Sequence, residues 1–364
     1  MVLQKKNIPG CVKDFENINF KKIKNISFEQ TLFQVNDPIS FDPTSLVFSF
    51  FHIFIKKIAH DAFLHLSNLI TLNLDIYEPF IINLEHLNLL KDVKISIYRD
   101  HYEEQEKLVF QVRFLKIFLP NCMEKLVLTS DNPHTNRVAN KFEFDSLNKL
   151  INLKFLLLSG FDEILFSRKN PFDCLINLKT LTLHGNRFKF DTPFKPKTIQ
   201  IGPSTLERLT FDICTDNDYD ICLLDNPKVH FSYLNCLKML SFWQNTGETC
   251  TERFDIESFM NLSSLEHLYF LCFDCSGLLN KFTNLKKLNI KVIEFKRYDY
   301  EKLTNLETIS LDLQRSLCKD DSILYKETAD SLFLALKKLR EIRIFSFGVF
   351  FEKYSLNRDN PNAD

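Results

Sequence analysis

The amino-acid sequence predicts an α/β solenoid, in which one short strand recurs along the chain and stacks with its copies into a parallel sheet. Three observations lead there. In the stretch Leu175–Asn186, leucines fall at 175, 178, 181 and 183, and an asparagine follows at 186. Apolar pairs with the same i, i+2 spacing return from residue 20 to residue 345. The composition can sustain such an array: 45% of residues are apolar, and 37 Phe against 7 Gly suggests Phe at leucine positions. A strand alternates its faces, so Leu181 and Leu183 turn inward and Thr182 turns outward. One unit cannot bury its own leucines and needs a neighbour stacked on either side.

The L-x-x-L-x-L-x-x-N pattern of Leu175, Leu178, Leu181, Leu183 and Asn186 resembles the leucine-rich repeat family. That resemblance implies a leucine-rich-repeat solenoid, a curved right-handed superhelix with its parallel sheet on the concave face. Aligning on this unit places strand pairs at Ile26/Phe28, Phe48/Phe50, Leu72/Leu74, Val93/Ile95, Leu126/Leu128, Leu156/Leu158 and Leu181/Leu183. The series continues at Leu209/Phe211, Leu240/Phe242, Leu268/Phe270, Leu288/Ile290, Ile309/Leu311 and Ile342/Ile344, about 13 repeats in steps of 20 to 33 residues. The two longest steps contain Glu103–Phe118 and Ser322–Leu339, with apolar residues at three- and four-residue intervals. These predict helices on the convex side. The strand-exit asparagine is kept at Asn186 and Asn245, with Cys214 in its place once. Tyr77, Tyr98, Phe161 and Phe273 replace it elsewhere, which predicts a partial asparagine ladder and irregular curvature.

The expected organisation is an N-terminal segment over 1–19, the repeat array over 20–345, and a C-terminal cap and disordered tail over 346–364. Residues 346–356 would cover the last repeat, because an open end of the array would expose its leucines.

Composition bounds the function. A net charge of −1 gives no global field for nucleic acid or an anionic membrane, and no run of 18 apolar residues occurs. The start of the chain has no apolar signal-peptide core, which predicts a cytoplasmic protein. Ten cysteines without a framework point to reduced, structural thiols. Cys272-Phe-Asp-Cys275 is a lone CxxC without the second ligand pair that zinc requires. Cys214, Cys222, Cys236 and Cys250 are scattered over other repeats. His60 and His65 do not form a metalloprotease spacing, and Asp216–Asp220 lacks the glycine and distal glutamate of a calcium loop. No nucleophile elbow, phosphate loop or dinucleotide fingerprint is present. The reading is no catalytic residue, no metal and no cofactor.

What remains is a surface. Residues flanking the inward pair of each strand project onto the concave sheet. In adjacent repeats these are Met239, Ser241 and Trp243, then His267, Tyr269 and Leu271, with Asp212 and His184 on preceding repeats. Trp243 is the only tryptophan, and Trp, Tyr and Met are enriched in interface cores. Met239, Trp243, His267, Tyr269, Leu271, Asp212 and His184 are therefore the expected partner-binding residues. Trp243 and Tyr269 follow comparable points of successive strands, so they are expected one repeat apart, with their rings at slightly different heights. The signs of charge on this face balance, with Lys287 and Lys291 as one local basic spot. The resemblance implies a non-enzymatic scaffold for a protein partner, and a monomer is expected. A substrate-recognition subunit of a ubiquitin-ligase complex, or an extracellular recognition protein with a truncated start, are the alternatives.

Overall fold

The computed structural model describes residues 2–3, 25–29, 32–33, 47–51, 54–55, 67–76, 81–98, 111–130, 138–161, 163–168, 171–184, 188–190, 198–213, 228–231, 233–244, 262–271, 279, 281–292, 300–313, 319–346 and 349–355. The chain divides into two compact units, Met1–Lys195 and Pro196–Asp364.

The first unit contains β1 (Val2–Leu3), β2 (Asn25–Glu29), β3 (Leu32–Phe33), β4 (Val47–Phe51), β5 (Phe54–Ile55), β6 (Thr71–Ile76), β7 (Ile81–Asn83) and β8 (Asp92–Ile97). It continues with β9 (Gln111–Phe118), β10 (Lys125–Ser130), β11 (Val138–Glu143), a 3₁₀ turn at Phe144–Leu147, β12 (Phe155–Ser159), β13 (Glu163–Phe166), β14 (Thr180–His184) and β15 (Phe188–Phe190). Strands β2, β4, β6, β8, β10, β12 and β14 pair in that order, all parallel. Ile26 lies opposite Phe48, Phe48 opposite Leu72, Leu72 opposite Val93 and Val93 opposite Leu126. Leu126 then pairs with Leu156, and Leu156 with Leu181. The leucine spacing thus fixes the register, because a slip of one residue would turn every inward side chain to the other face. Leu72, Leu74, Leu126, Leu128, Leu156, Leu158, Leu181 and Leu183 are all fully buried. The fold is a leucine-rich-repeat solenoid with a long parallel sheet.

The other side of the first unit departs from expectation. Strands β7, β9, β11, β13 and β15 form a second parallel sheet. The helix expected over Glu103–Phe118 is replaced in its second half by β9; residues 103–110 lie outside the described part. The reason is periodicity. Leu115, Ile117 and Leu119 are buried and Lys116 between them is exposed, a two-residue alternation that only a strand can use. Phe144, Phe166 and Phe172 fill the corner behind this sheet, with ring centroids 4.6–5.8 Å apart.

The second unit contains β16 (Thr198–Gln200), β17 (Arg208–Ile213), β18 (Lys228–His230), β19 (Met239–Gln244), β20 (His267–Leu271), β21 (Lys287–Val292), β22 (Thr308–Leu313), α1 (Lys319–Ala335), β23 (Glu341–Ser346) and β24 (Val349–Ser355). Strands β17, β19, β20, β21, β22 and β23 are parallel neighbours in that order. Leu209, Leu240, Leu268, Leu288, Ile309 and Ile342 stand in one row. Phe211, Phe242 and Phe270 form the next inward row, with centroids 5.6 and 5.4 Å apart. Helix α1 buries Tyr325, Ala329, Leu332 and Phe333 at helical spacing. Its helical pattern was expected to run to Leu339; Leu336 and Leu339 instead belong to the turn that leads into β23. After β23 the chain reverses, and β24 pairs antiparallel with it from Glu341 opposite Ser355 to Ser346 opposite Val349.

The turns that enter the strands explain how the repeats stay in step. One carbonyl of each repeat accepts two consecutive N–H groups of the next. Lys91 accepts from Glu124 and Lys125, Glu124 from Lys154 and Phe155, and Lys238 from Glu266 and His267. Side chains add a second ladder one turn earlier. The Asn177 amide donates to the Ile151 carbonyl at 2.9 Å, Asn284 to Ser263 at 2.8 Å and Asn305 to Thr283 at 2.8 Å. Cys122 takes this position in its repeat and reaches the Leu90 carbonyl at 3.1 Å.

The residue carrying the shared carbonyl is charged in most repeats, and its sign largely alternates. Glu124 lies 2.9 Å from Lys91 and 2.7 Å from Lys154, and Glu266 lies 2.7 Å from Lys286. Hydrogen bonds from Lys154 and then Lys91 hold the Glu124 carboxyl down at about 2, from an ordinary 4.5. A depressed carboxyl contributes stability above its unfolded value and loses it as pH falls toward the folded one. Wild-type protein should therefore lose an increment of stability between pH 4.5 and 2 that Glu124→Gln does not lose. Melting temperatures of the two proteins across that range check this. The increment is small, because the pairs face solvent.

Candidate functional site

Because Leu240 and Phe242 point inward, Met239 and Ser241 occupy the outward face, and the same phase holds on each neighbouring strand. In the second unit the outward positions form rows across the sheet. The first row runs Arg208, Met239, His267, Lys287, Thr308, Glu341. The second runs Thr210, Ser241, Tyr269, Asn289, Ser310, Arg343. In the third, Asp212 pairs with Trp243 and Trp243 with Leu271.

These rows set the offset between the two aromatic residues. Trp243 and Tyr269 lie on adjacent strands but not at comparable heights: the register partner of Trp243 is Leu271, and that of Tyr269 is Ser241. The two backbone positions are diagonal neighbours, about 8 Å apart for a 4.8 Å strand spacing and a two-residue offset. The physical reason is phase, since Tyr269 stands between the two inward residues of its strand and Trp243 stands after them.

Met239, His267 and Tyr269 are each half-buried, while Arg208 and Lys287 are exposed. Asp212, Trp243 and Leu271 are placed by their backbones within the same three strands. The structure thus brings six of the seven expected residues onto β17, β19 and β20. His184 is in the first unit; it is exposed at the end of β14, opposite Ser159. The His267 imidazole is pushed below its ordinary 6.5, first by burial and then by Lys287; Glu266 works in the opposite direction. At the end of the first row, Glu341 bonds Lys353 and Arg343, whose hydrogen bonds hold its carboxyl low against burial.

A second outward cluster lies in the first unit. Val127, Phe155 and Leu157 are half-exposed on β10 and β12, with Val127 opposite Leu157 and Lys125 opposite Phe155. The Lys125 ammonium stands 5.8 Å from the Phe155 ring centre, within cation–π reach.

Among the described residues, no group of three or more His, Cys, Asp or Glu could hold a metal ion. No described helix is long and apolar enough to cross a membrane. Among the described residues, Cys122, Cys174 and Cys236 form no disulfide. Cys214, Cys222, Cys250, the Cys272/Cys275 pair, His60, His65 and Asp216–Asp220 lie outside the described residues, as do Tyr77, Asn186, Asn245 and Phe273. Sequence reasoning missed the charged and asparagine ladders beneath the site. Their signal was present in the recurring Asn-Leu-Lys of Asn152, Asn177 and Asn284.

Solved structures similar to this chain include an internalin from Listeria monocytogenes, 15% identical over 88% of this chain and 86% of that one, with a TM-score of 0.45. Another is the protein of a TLR13–ssRNA13 complex, 16% identical over 90% of this chain and 53% of that one, with a TM-score of 0.31. No family model and no curated protein matches the sequence.

Proposed function

We propose that this chain is a non-enzymatic interaction scaffold that binds a protein partner over the outward face of its repeat sheet. The supporting observation is the placing of Met239, His267 and Tyr269 as half-buried groups on adjacent strands, beside Arg208 and Lys287. Large groups that stay partly solvated on an open sheet are costly unless used. By strand position Trp243 and Leu271 extend the cluster, and Asp212 and Lys287 stand at its edges. An aromatic and thioether centre with a charged rim is the anatomy of an energetic hot spot. The protein acts in the cytoplasm as a monomer, with its thiols reduced.

Truncating Trp243 or Tyr269 to Ala should each weaken partner binding by about 2 kcal/mol or more, with little change in melting. The partner is first identified by affinity capture on the tagged full chain, then titrated calorimetrically against both variants. Unchanged binding with lowered melting would remove the site from this face. Val127, Phe155 and Leu157 would then be the next surface to truncate.

A further inference from the structure

We propose that the outward face of β17, β19, β20 and β21 takes an acidic, extended segment of the partner, with its carboxylates against Arg208, His267 and Lys287 and its neutral groups against Thr210, Tyr269 and Asn289. This inference rests on the reading of that face as a protein-binding surface, and adds the chemistry of what it binds. The first outward row holds Arg208, Met239, His267 and Lys287 in consecutive register, with no carboxylate among them. The nearest carboxylates along the chain are already engaged by the turn ladder: Glu207 lies 3.5 Å from Lys238, and Glu266 lies 2.7 Å from Lys286. Among the described residues, neither Arg208 nor Lys287 forms an ion pair. The row therefore presents positive charge on a chain whose net charge is −1.

The geometry sets the spacing of the ligand's charges. Arg208 and Lys287 are three strand intervals apart, about 14 Å at 4.8 Å each. An extended peptide advances about 3.3–3.6 Å per residue, so acidic residues three or four positions apart reach both ends of the row. In the second row Thr210, Tyr269 and Asn289 are neutral and half-buried and suit hydrogen bonding to a peptide, while Ser241 between them is buried. A nucleic acid would need a longer basic track, and Glu341 closes this row two strands beyond Lys287.

His267 couples this binding to pH. The groups around it are Lys287 and Lys286 on the β21 side, Arg208 on β17, uncharged Met239 on β19 and Glu266 in the turn just before its own strand. Burial first, and then these cations, keep it below 6.5 in the free protein. A ligand carboxylate reverses that sign, so binding takes up a proton. Affinity should then rise as pH falls from the bound toward the free titration range, by at most about tenfold per pH unit for one proton.

The test is a selection of random twelve-residue displayed peptides on the purified full chain at pH 6, followed by anisotropy titrations of the recovered peptides. The expected peptides carry Asp or Glu three or four apart. Arg208→Gln and Lys287→Gln should each weaken them by about tenfold, and Lys287→Glu should favour basic peptides instead. Binding should tighten from pH 8 to pH 5.5 in wild type and stay flat in His267→Gln. Melting curves confirm that these variants fold. Peptides that depend on Tyr269 but are neutral or basic overturn the acidic inference and leave the docking reading standing. Recovery of no peptide sensitive to Tyr269, Arg208 or Lys287 overturns both. A twelve-nucleotide single-stranded RNA that outcompetes the acidic peptides overturns the inference in favour of nucleic acid.

Discussion

Replacing Phe242 with alanine is expected to destabilise the protein by about 3–5 kcal/mol, the range for truncating a buried phenylalanine. Phe242 is 1% exposed and stands between the rings of Phe211 and Phe270, at 5.6 and 5.4 Å. Its loss opens a void in the middle of a continuous inward row, where neither neighbour can close the gap without leaving its own repeat. Phe242→Leu keeps most of the volume and places there a residue that the same position carries in other repeats, such as Leu158 and Leu183, so it should cost less than about 1.5 kcal/mol. Urea unfolding of both variants checks the pair. Equal losses for Ala and Leu would mean that ring contacts, and not volume, hold the row together.

Gly160→Ala is expected to cost about 3 kcal/mol or more, although it adds one methyl group. Gly160 has φ of +72°, in the left-handed region that a side chain disfavours. A Cβ there would fall 1.9 Å from the Ser130 carbonyl oxygen, a backbone atom that cannot swing away. The Gly160 N–H donates to the His184 carbonyl at 2.8 Å, so the residue links β12 to β14 as it leaves the strand. Moving it to relieve the contact with Ser130 would strain that bond. Thermal unfolding of Gly160→Ala checks this, and a loss under about 1 kcal/mol would mean that the strand exit moves to accept the methyl group.

Much of the long sheet could be read from the sequence, because two inward leucines per repeat leave one workable register. Leu156 was aligned with Leu126 and Leu181 on spacing alone, and the strands pair that way. The second sheet was not legible. Gln111–Phe118 carries both a period-two and a rough helical spacing of apolar residues, and only stacking against β7 and β11 selects the strand. The ladders were legible but overlooked. Attention to Asn186 at the strand exit hid the asparagines before the strand, Asn177 and Asn284, whose amides bridge repeats. For the site, strand membership of Met239, His267 and Tyr269 followed from alternation. Their row-by-row neighbours followed from the same alignment of inward pairs, which sets Trp243 opposite Leu271 and Ser241 opposite Tyr269.

Trp243 is the only tryptophan of the chain, so a label on it reports on the proposed face alone. The most direct test is the fluorine NMR spectrum of the full chain grown with 5-fluorotryptophan, titrated with the captured partner. The account predicts one resonance that shifts or broadens and saturates at the calorimetric stoichiometry. A resonance unmoved when calorimetry shows the complex fully formed would contradict it, and would place recognition away from β17, β19 and β20.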